Sequence, residues 1–190
     1  MKIFGGLYDR VLVWAKHRHA TRILAGVSFA ESFAFPIPID VMMAPMMLSR
    51  PQEAYRIALI TTIFSVIGGV FGYMLGQWGM VYIDGLIEGT RYQEQIAQTK
   101  VWFQEYGILI VFIAGFSPIP YKIFTISAGA MGMALLPFIL ISIVARASRF
   151  YLVAFVIRWG GEKMESVLRK NIEILGWLLL VLVILYVVFR

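Results

Sequence analysis

"FAFPIPIDVM" (residues 33–42) and "GFSPIPYKIF" (residues 115–124) carry the same Pro-Ile-Pro inside apolar sequence. A proline inside a helix lacks an amide donor, clashes with the preceding turn and biases the residue before it away from helix. Pro36 and Pro38 therefore divide the apolar stretch 23–48 into the pieces 23–35 and 39–48. At ~1.5 Å per residue, neither piece crosses a hydrocarbon core ~30 Å thick. Pro118 and Pro120 divide the second stretch into 106–117 and 123–136, with Gly129 and Gly132 offering a bend. Each broken stretch is one interrupted span or a re-entrant hairpin.

The surrounding sequence repeats with the prolines. A shift of 82 residues lays Pro36 on Pro118, Pro38 on Pro120 and Asp40 on Lys122, an acid-for-base exchange. A full-length apolar span follows each unit, at 57–78 and at 138–157. Proline-interrupted hydrophobic segments at corresponding places in two halves point to a transporter's binding site. The expected divisions are an interfacial amphipathic helix at 1–22, a membrane domain at 23–157 with repeats 23–80 and 106–157, and a polar linker with a C-terminal transmembrane helix at 158–190.

Composition agrees with a membrane setting. Of 190 residues, 60% are hydrophobic and only 15% charged. A soluble domain of this size carries about a quarter charged residues. No cysteine is present, which removes disulfides and thiolate metal sites. His17 and His19 sit in a basic cluster better suited to headgroups than to a metal. The +6 net charge is spread over short loops, unlike the single stripe of a nucleic-acid binder. Lys2, Arg10, Lys16, Arg18 and Arg22 outnumber Asp9 at the N-terminus, which predicts a cytoplasmic start. The most polar loop, 81–105, then falls outside, and two re-entrant segments entering from opposite faces put Arg158, Lys163, Arg169 and Lys170 back inside.

Five charges lie where a bilayer disfavours them: Glu31, Asp40, Lys122, Arg146 and Arg149. An ionised group at the bilayer centre costs at least ~2.5–3.5 kcal/mol, so such residues face protein or water and pair with one another. Arg146 and Arg149 share a helix face. One reading is structural: Glu31 and Asp40 neutralise Arg146, Arg149 or Lys122 and hold the halves together. The other is a midplane cavity in which the bases bind a phosphate headgroup and a carboxylate takes up a proton. Gly68, Gly69, Gly72, Gly76 and Gly79 along 57–78 predict close helix packing. No acid pair, metal cluster or activated nucleophile argues for an enzyme; Ser117 and Tyr121 have no base at a recognisable spacing.

The motifs "ESFAFPIPID", "GGVFGYMLGQWG" and "GFSPIPYK" resemble those of the DedA superfamily, with its VTT (SNARE-associated) domain. "FSPIPYKIFTISAGAMGM" is most similar to the YqaA-like bacterial branch. The resemblance covers residues 26–149. It matches Glu31 and Asp40 to the family's acids around the first tip, and Gly72, Tyr73 and Gly76 to its Gly-Tyr-x-x-Gly. Where the family has Arg-Phe-x-Pro-x-x-Arg, this chain has Gly115 and Tyr121 in place of the arginines, with Lys122 next in line.

The resemblance implies an all-α integral membrane protein of the bacterial inner membrane, with two re-entrant hairpins in inverted repeat. It implies a flippase or scramblase for phospholipid or polyprenyl phosphate, with or without proton linkage. Glu31 and Asp40 would be the cavity acids, Lys122, Arg146 and Arg149 the headgroup bases, and Pro36, Pro38, Pro118 and Pro120 the hairpin tips. Expected partners are membrane lipids with anionic headgroups, with protons and a homo-oligomeric copy as open additions; no cofactor is implied. Two other readings stand beside this one: a proton-coupled exporter of small solutes, and a structural membrane factor that transports nothing.

Overall fold

The structure is a computed structural model and describes residues 17, 19–34, 39–89, 92–116 and 121–160. The tips Pro36, Pro38, Pro118 and Pro120, nearly all of the proposed amphipathic helix and the apolar C-terminal segment lie outside the described residues.

Among the described residues six α-helices follow one another: α1 (Ala20–Glu31), α2 (Asp40–Ser49), α3 (Ala54–Ile87), α4 (Tyr92–Phe116), α5 (Tyr121–Ala130) and α6 (Leu135–Gly160). A single 3-10 turn, Pro51–Glu53, leads into α3. Among the described residues there is no strand. α3 has 34 residues and α6 has 26, and both are long and apolar enough to cross a bilayer. α1, α2 and α5 have 12, 10 and 10 residues, about half a bilayer at ~1.5 Å per residue.

The helices around the polar loop run further than expected. α3 continues past residue 78 to Ile87, and α4 starts at Tyr92, so most of 81–105 is helical. Glutamine, glutamate, alanine and lysine between residues 93 and 105 are good helix formers. They let the polar half of α4 join its apolar half without a break.

Helix directions follow from the contacts. Ser28 and Ser32 of α1 meet Thr61 and Ser65 of α3 in rising order, so the two helices run parallel. Phe29 lies on Gly68, where an added Cβ would sit 2.1 Å from the Phe29 carbonyl oxygen. α5 also runs parallel to α3: Gly69 meets Tyr121, Gly72 meets Thr125, and Gly76 meets Ile126 and Ala130. α6 runs the other way, with Phe138 against Tyr73, Arg146 against Ser65 and Tyr151 against Tyr55.

Two glycines expected to bend α5 do different work. Gly132 has φ +71° and closes the helix: its amide bonds to the Gly129 carbonyl, and that of Met133 to Ala128. This is the Schellman pattern, which needs a left-handed residue. Gly129 is a contact point, because a Cβ there would lie 1.8 Å from the Tyr73 carbonyl oxygen.

The core forms two clusters. One gathers Leu24, Ile39, Met43, Met46 and Met47 against Ile57 and Phe150. The other gathers Tyr73, Phe103, Val111, Tyr121 and Phe138. Between them lies a polar layer.

Candidate functional site: a polar layer between the two long helices

Arg146 is the centre of this layer and is 1% exposed. Its position near the middle of α6 puts it beside Ser65, near the middle of α3. Its Nε donates to Ser65 Oγ at 2.6 Å, and one Nη donates to Glu31 Oε2 at 2.9 Å. The guanidinium also lies over two rings, Tyr121 at 4.9 Å and Phe150 at 4.5 Å. Four elements thus hold one side chain: α1 through Glu31, α3 through Ser65, α5 through Tyr121 and α6 through Phe150. A buried cation is tolerated only when paired and hydrogen-bonded in this way.

The hydroxyls around it are ordered in one direction. The guanidinium can only donate, so Ser65 Oγ accepts from it. Ser32 Oγ donates to the Ser28 carbonyl at 3.0 Å, so Ser65 gives its own proton to Ser32 Oγ, 2.9 Å away. Ser28 Oγ donates to the Thr61 carbonyl at 2.8 Å. Thr125 Oγ1 lies 2.9 Å from the Lys122 carbonyl oxygen of its own helix and 3.1 Å from the Ser32 carbonyl oxygen just past the end of α1, so its one proton is shared between the two. Tyr121 Oη reaches Ser142 Oγ at 2.5 Å.

One turn further along α6, Arg149 pairs with Asp40, the first residue of α2. Here the side chains are 17% and 32% exposed, against 1% and 14% for Arg146 and Glu31. The second pair is therefore the wetter one. Asp40 also sits in the first turn of its helix, where the dipole favours an anion. Lys122 holds the corresponding place in α5, where the dipole opposes a cation, and is part-buried. Among the described residues no carboxylate pairs with Lys122.

Of the five interior charges, then, the fold brings four into two pairs and sets Lys122 apart. Asp40 turns to Arg149 and not to Lys122, its equivalent under the repeat. Gly72 and Gly76 lie in the α3–α5 contact, with Tyr73 Oη donating to the Met133 carbonyl at 2.5 Å. The hydroxyl ladder and the rings around Arg146 were not anticipated. The signal was present: Ser28 and Ser32, then Thr61 and Ser65, stand four apart in apolar sequence, one turn of helix each. No group of histidine and acid side chains among the described residues has metal-holding geometry.

An all-helical bundle with a charged middle layer defines a membrane protein built around a polar interior. Residues 35–159 match the VTT domain family, and the chain belongs to that family. It is 48% identical to a Haemophilus influenzae protein described as uncharacterized, over 97% of this chain and 96% of that one. A Histophilus somni protein, also described as uncharacterized, is 46% identical over the full length of both. Undecaprenyl phosphate transporter A of Bacillus subtilis is 27% identical over 74% of this chain and 71% of its own length. No solved structure matches the chain.

Proposed function

We propose that this protein moves a lipid with a phosphate headgroup between the leaflets of the bacterial inner membrane, through the polar layer between α3 and α6. The observation that carries this reading is the wetter end of that layer. Arg149 of α6 meets Asp40 there, at the start of the half-length helix α2 and one turn from the tightly closed Arg146–Glu31 pair, while Lys122 stands at the start of the other half-length helix, α5. Arginine and lysine are suited to a phosphate, and the start of a helix favours an anion. The distant similarity to an undecaprenyl phosphate transporter agrees in substrate class.

The architecture we propose is a pair of re-entrant hairpins in inverted repeat. Arg50, just after α2, donates to the His17 carbonyl before α1 at 3.3 Å, so the first hairpin's two ends meet at one level. α1 runs beside the first half of α3 from one end to the middle, and α5 runs in the same direction beside its second half, from the middle to the other end. The two hairpins thus approach the middle from opposite ends. Tyr55 and Trp78 of α3 are exposed and ~35 Å apart along the helix axis, close to the spacing of two interfacial aromatic belts. Ser65 and Gly68 lie near their midpoint. The N-terminus is on the cytoplasmic side in this arrangement, with Arg22, Arg50, Arg56 and Arg158 at that end. Asp40 is the proposed proton acceptor: its protonation would remove its charge from Arg149, leaving the arginine better matched to a phosphate.

Purified protein in liposomes tests this. Labelled phospholipid and labelled undecaprenyl phosphate are placed in one leaflet, with and without a pH gradient. The proposal expects at least one of them to reach the other leaflet faster than in empty liposomes. Neither doing so, under either condition, sinks it; cation-driven proton flux in the same vesicles would favour the exporter reading.

A further inference from the structure

A cluster of aromatic and arginine side chains stands at the arginine-rich end of the α3–α6 pair, away from the polar layer. Tyr151 and Arg158 are seven residues apart on α6, ~10.5 Å along its axis. The Tyr55 ring of α3 fits between them. It stacks on Tyr151 with centroids 6.0 Å apart and planes 17° apart, and the Arg158 guanidinium lies 5.0 Å from its centroid. The cation is held over a ring, and a guanidinium is suited to a planar acceptor. Among the described residues no carboxylate pairs with Arg158. Arg56, the next residue after Tyr55, has a side chain 72% exposed; its contact with Glu53 is 3.8 Å and solvent-facing.

From Tyr55 an exposed apolar stripe runs along α3. Tyr55, Leu59 and Ile63 follow each other at one-turn spacing on α3, exposed by 37, 47 and 46%. Antiparallel to them on α6 come Tyr151, Ser148 and Val144, and Val144 is 51% exposed. Ala147 and Ser148 are small, and Ser148 is exposed. A charged head at one end and an apolar track leading from it towards mid-bilayer match one class of molecule, an anionic diacyl phospholipid. A free phosphate would use the head alone.

We infer that an anionic phospholipid binds here, its phosphate on Arg158 and Arg56 and one acyl chain along Leu59 and Ile63. The site needs only a membrane around the chain and does not rest on the transport reading. It is occupied by a resident lipid on one leaflet, whereas the polar layer would pass lipid from one leaflet to the other.

Native mass spectrometry of the full chain, released from detergent after incubation with phosphatidylglycerol, phosphatidylcholine or inorganic phosphate, tests the site. The expected result is a phosphatidylglycerol adduct retained at least tenfold over phosphatidylcholine, no phosphate adduct, and loss of that preference in Arg56→Gln/Arg158→Gln. Equal retention of the two lipids, or a preference unchanged by the double substitution, overturns the site. Phosphate retained as well as lipid would reduce it to an anion site without a tail track and overturn it as a lipid site. If the double variant fails to fold, Leu59→Trp, which puts a bulky ring on the apolar stripe, must weaken the adduct; an unchanged adduct in that variant overturns the site too.

Discussion

The half-length helices α2 and α5 have the same length and begin within one residue of equivalent places under the 82-residue shift, yet they are held in opposite ways. α5 meets α3 backbone to backbone. A Cβ at Gly76 would lie 1.9 Å from the Ile126 carbonyl oxygen, and one at Gly129 would lie 1.8 Å from that of Tyr73. Hydroxyls add direction, through Tyr121 to Ser142 and Thr125 to the Ser32 carbonyl. α2 instead packs through Met43, Met46 and Met47, all fully buried, and contains Pro45, which leaves the Val41 carbonyl without its helical partner. Methionine side chains are flexible and fill irregular space. The difference teaches that one arm is fixed by geometry and the other by adaptable packing, with the Asp40–Arg149 pair as the polar tie at the start of α2.

The largest expected effect breaks the rigid side. Gly129→Val puts a branched side chain where no Cβ fits, and no folded protein should be recovered by size exclusion in detergent. Next comes the dry ion pair. Glu31→Ala leaves Arg146 buried without its counter-ion and should cost about 3–5 kcal/mol, read as a lowered melting transition. Adding Arg146→Met to that variant should restore much of the loss, because the uncompensated charge is then gone. The adaptable side should respond less: Met47→Leu conserves volume and should cost below about 1.5 kcal/mol. Thr125→Val removes the hydroxyl shared between the Lys122 and Ser32 carbonyls and should cost about 1 kcal/mol or less by the same melt. A Met47→Leu penalty as large as that of Glu31→Ala would erase the contrast between the arms.

Much of this was legible in the sequence, and the limit has a physical cause. The prolines and the apolar lengths marked the short helices, because both act locally on the backbone. The long helices α3 and α6 contain the spans read at 57–78 and 138–157. Partner choice was not legible. Glu31 and Arg146 are 115 positions apart, and nothing local says that Asp40 should prefer Arg149 to Lys122. The hydroxyl ladder was visible as four-residue spacing, but serine and threonine in apolar helices often bond only to their own backbone, as Thr62 does to Ala58. The helical course of 92–105 was hidden by its polarity, which was read as loop although its residues favour helix.

The two ion pairs divide structure from transport in this account, and one measurement tests that division most directly. Asp40→Asn is placed in liposomes beside the unaltered protein, and leaflet-to-leaflet movement of labelled phospholipid and undecaprenyl phosphate is followed, with melting recorded on the same samples. The account predicts that movement falls to the level of empty liposomes while the melting transition shifts only slightly, since the Asp40–Arg149 pair is part-exposed. Full movement in Asp40→Asn would contradict it and remove Asp40 from the pathway.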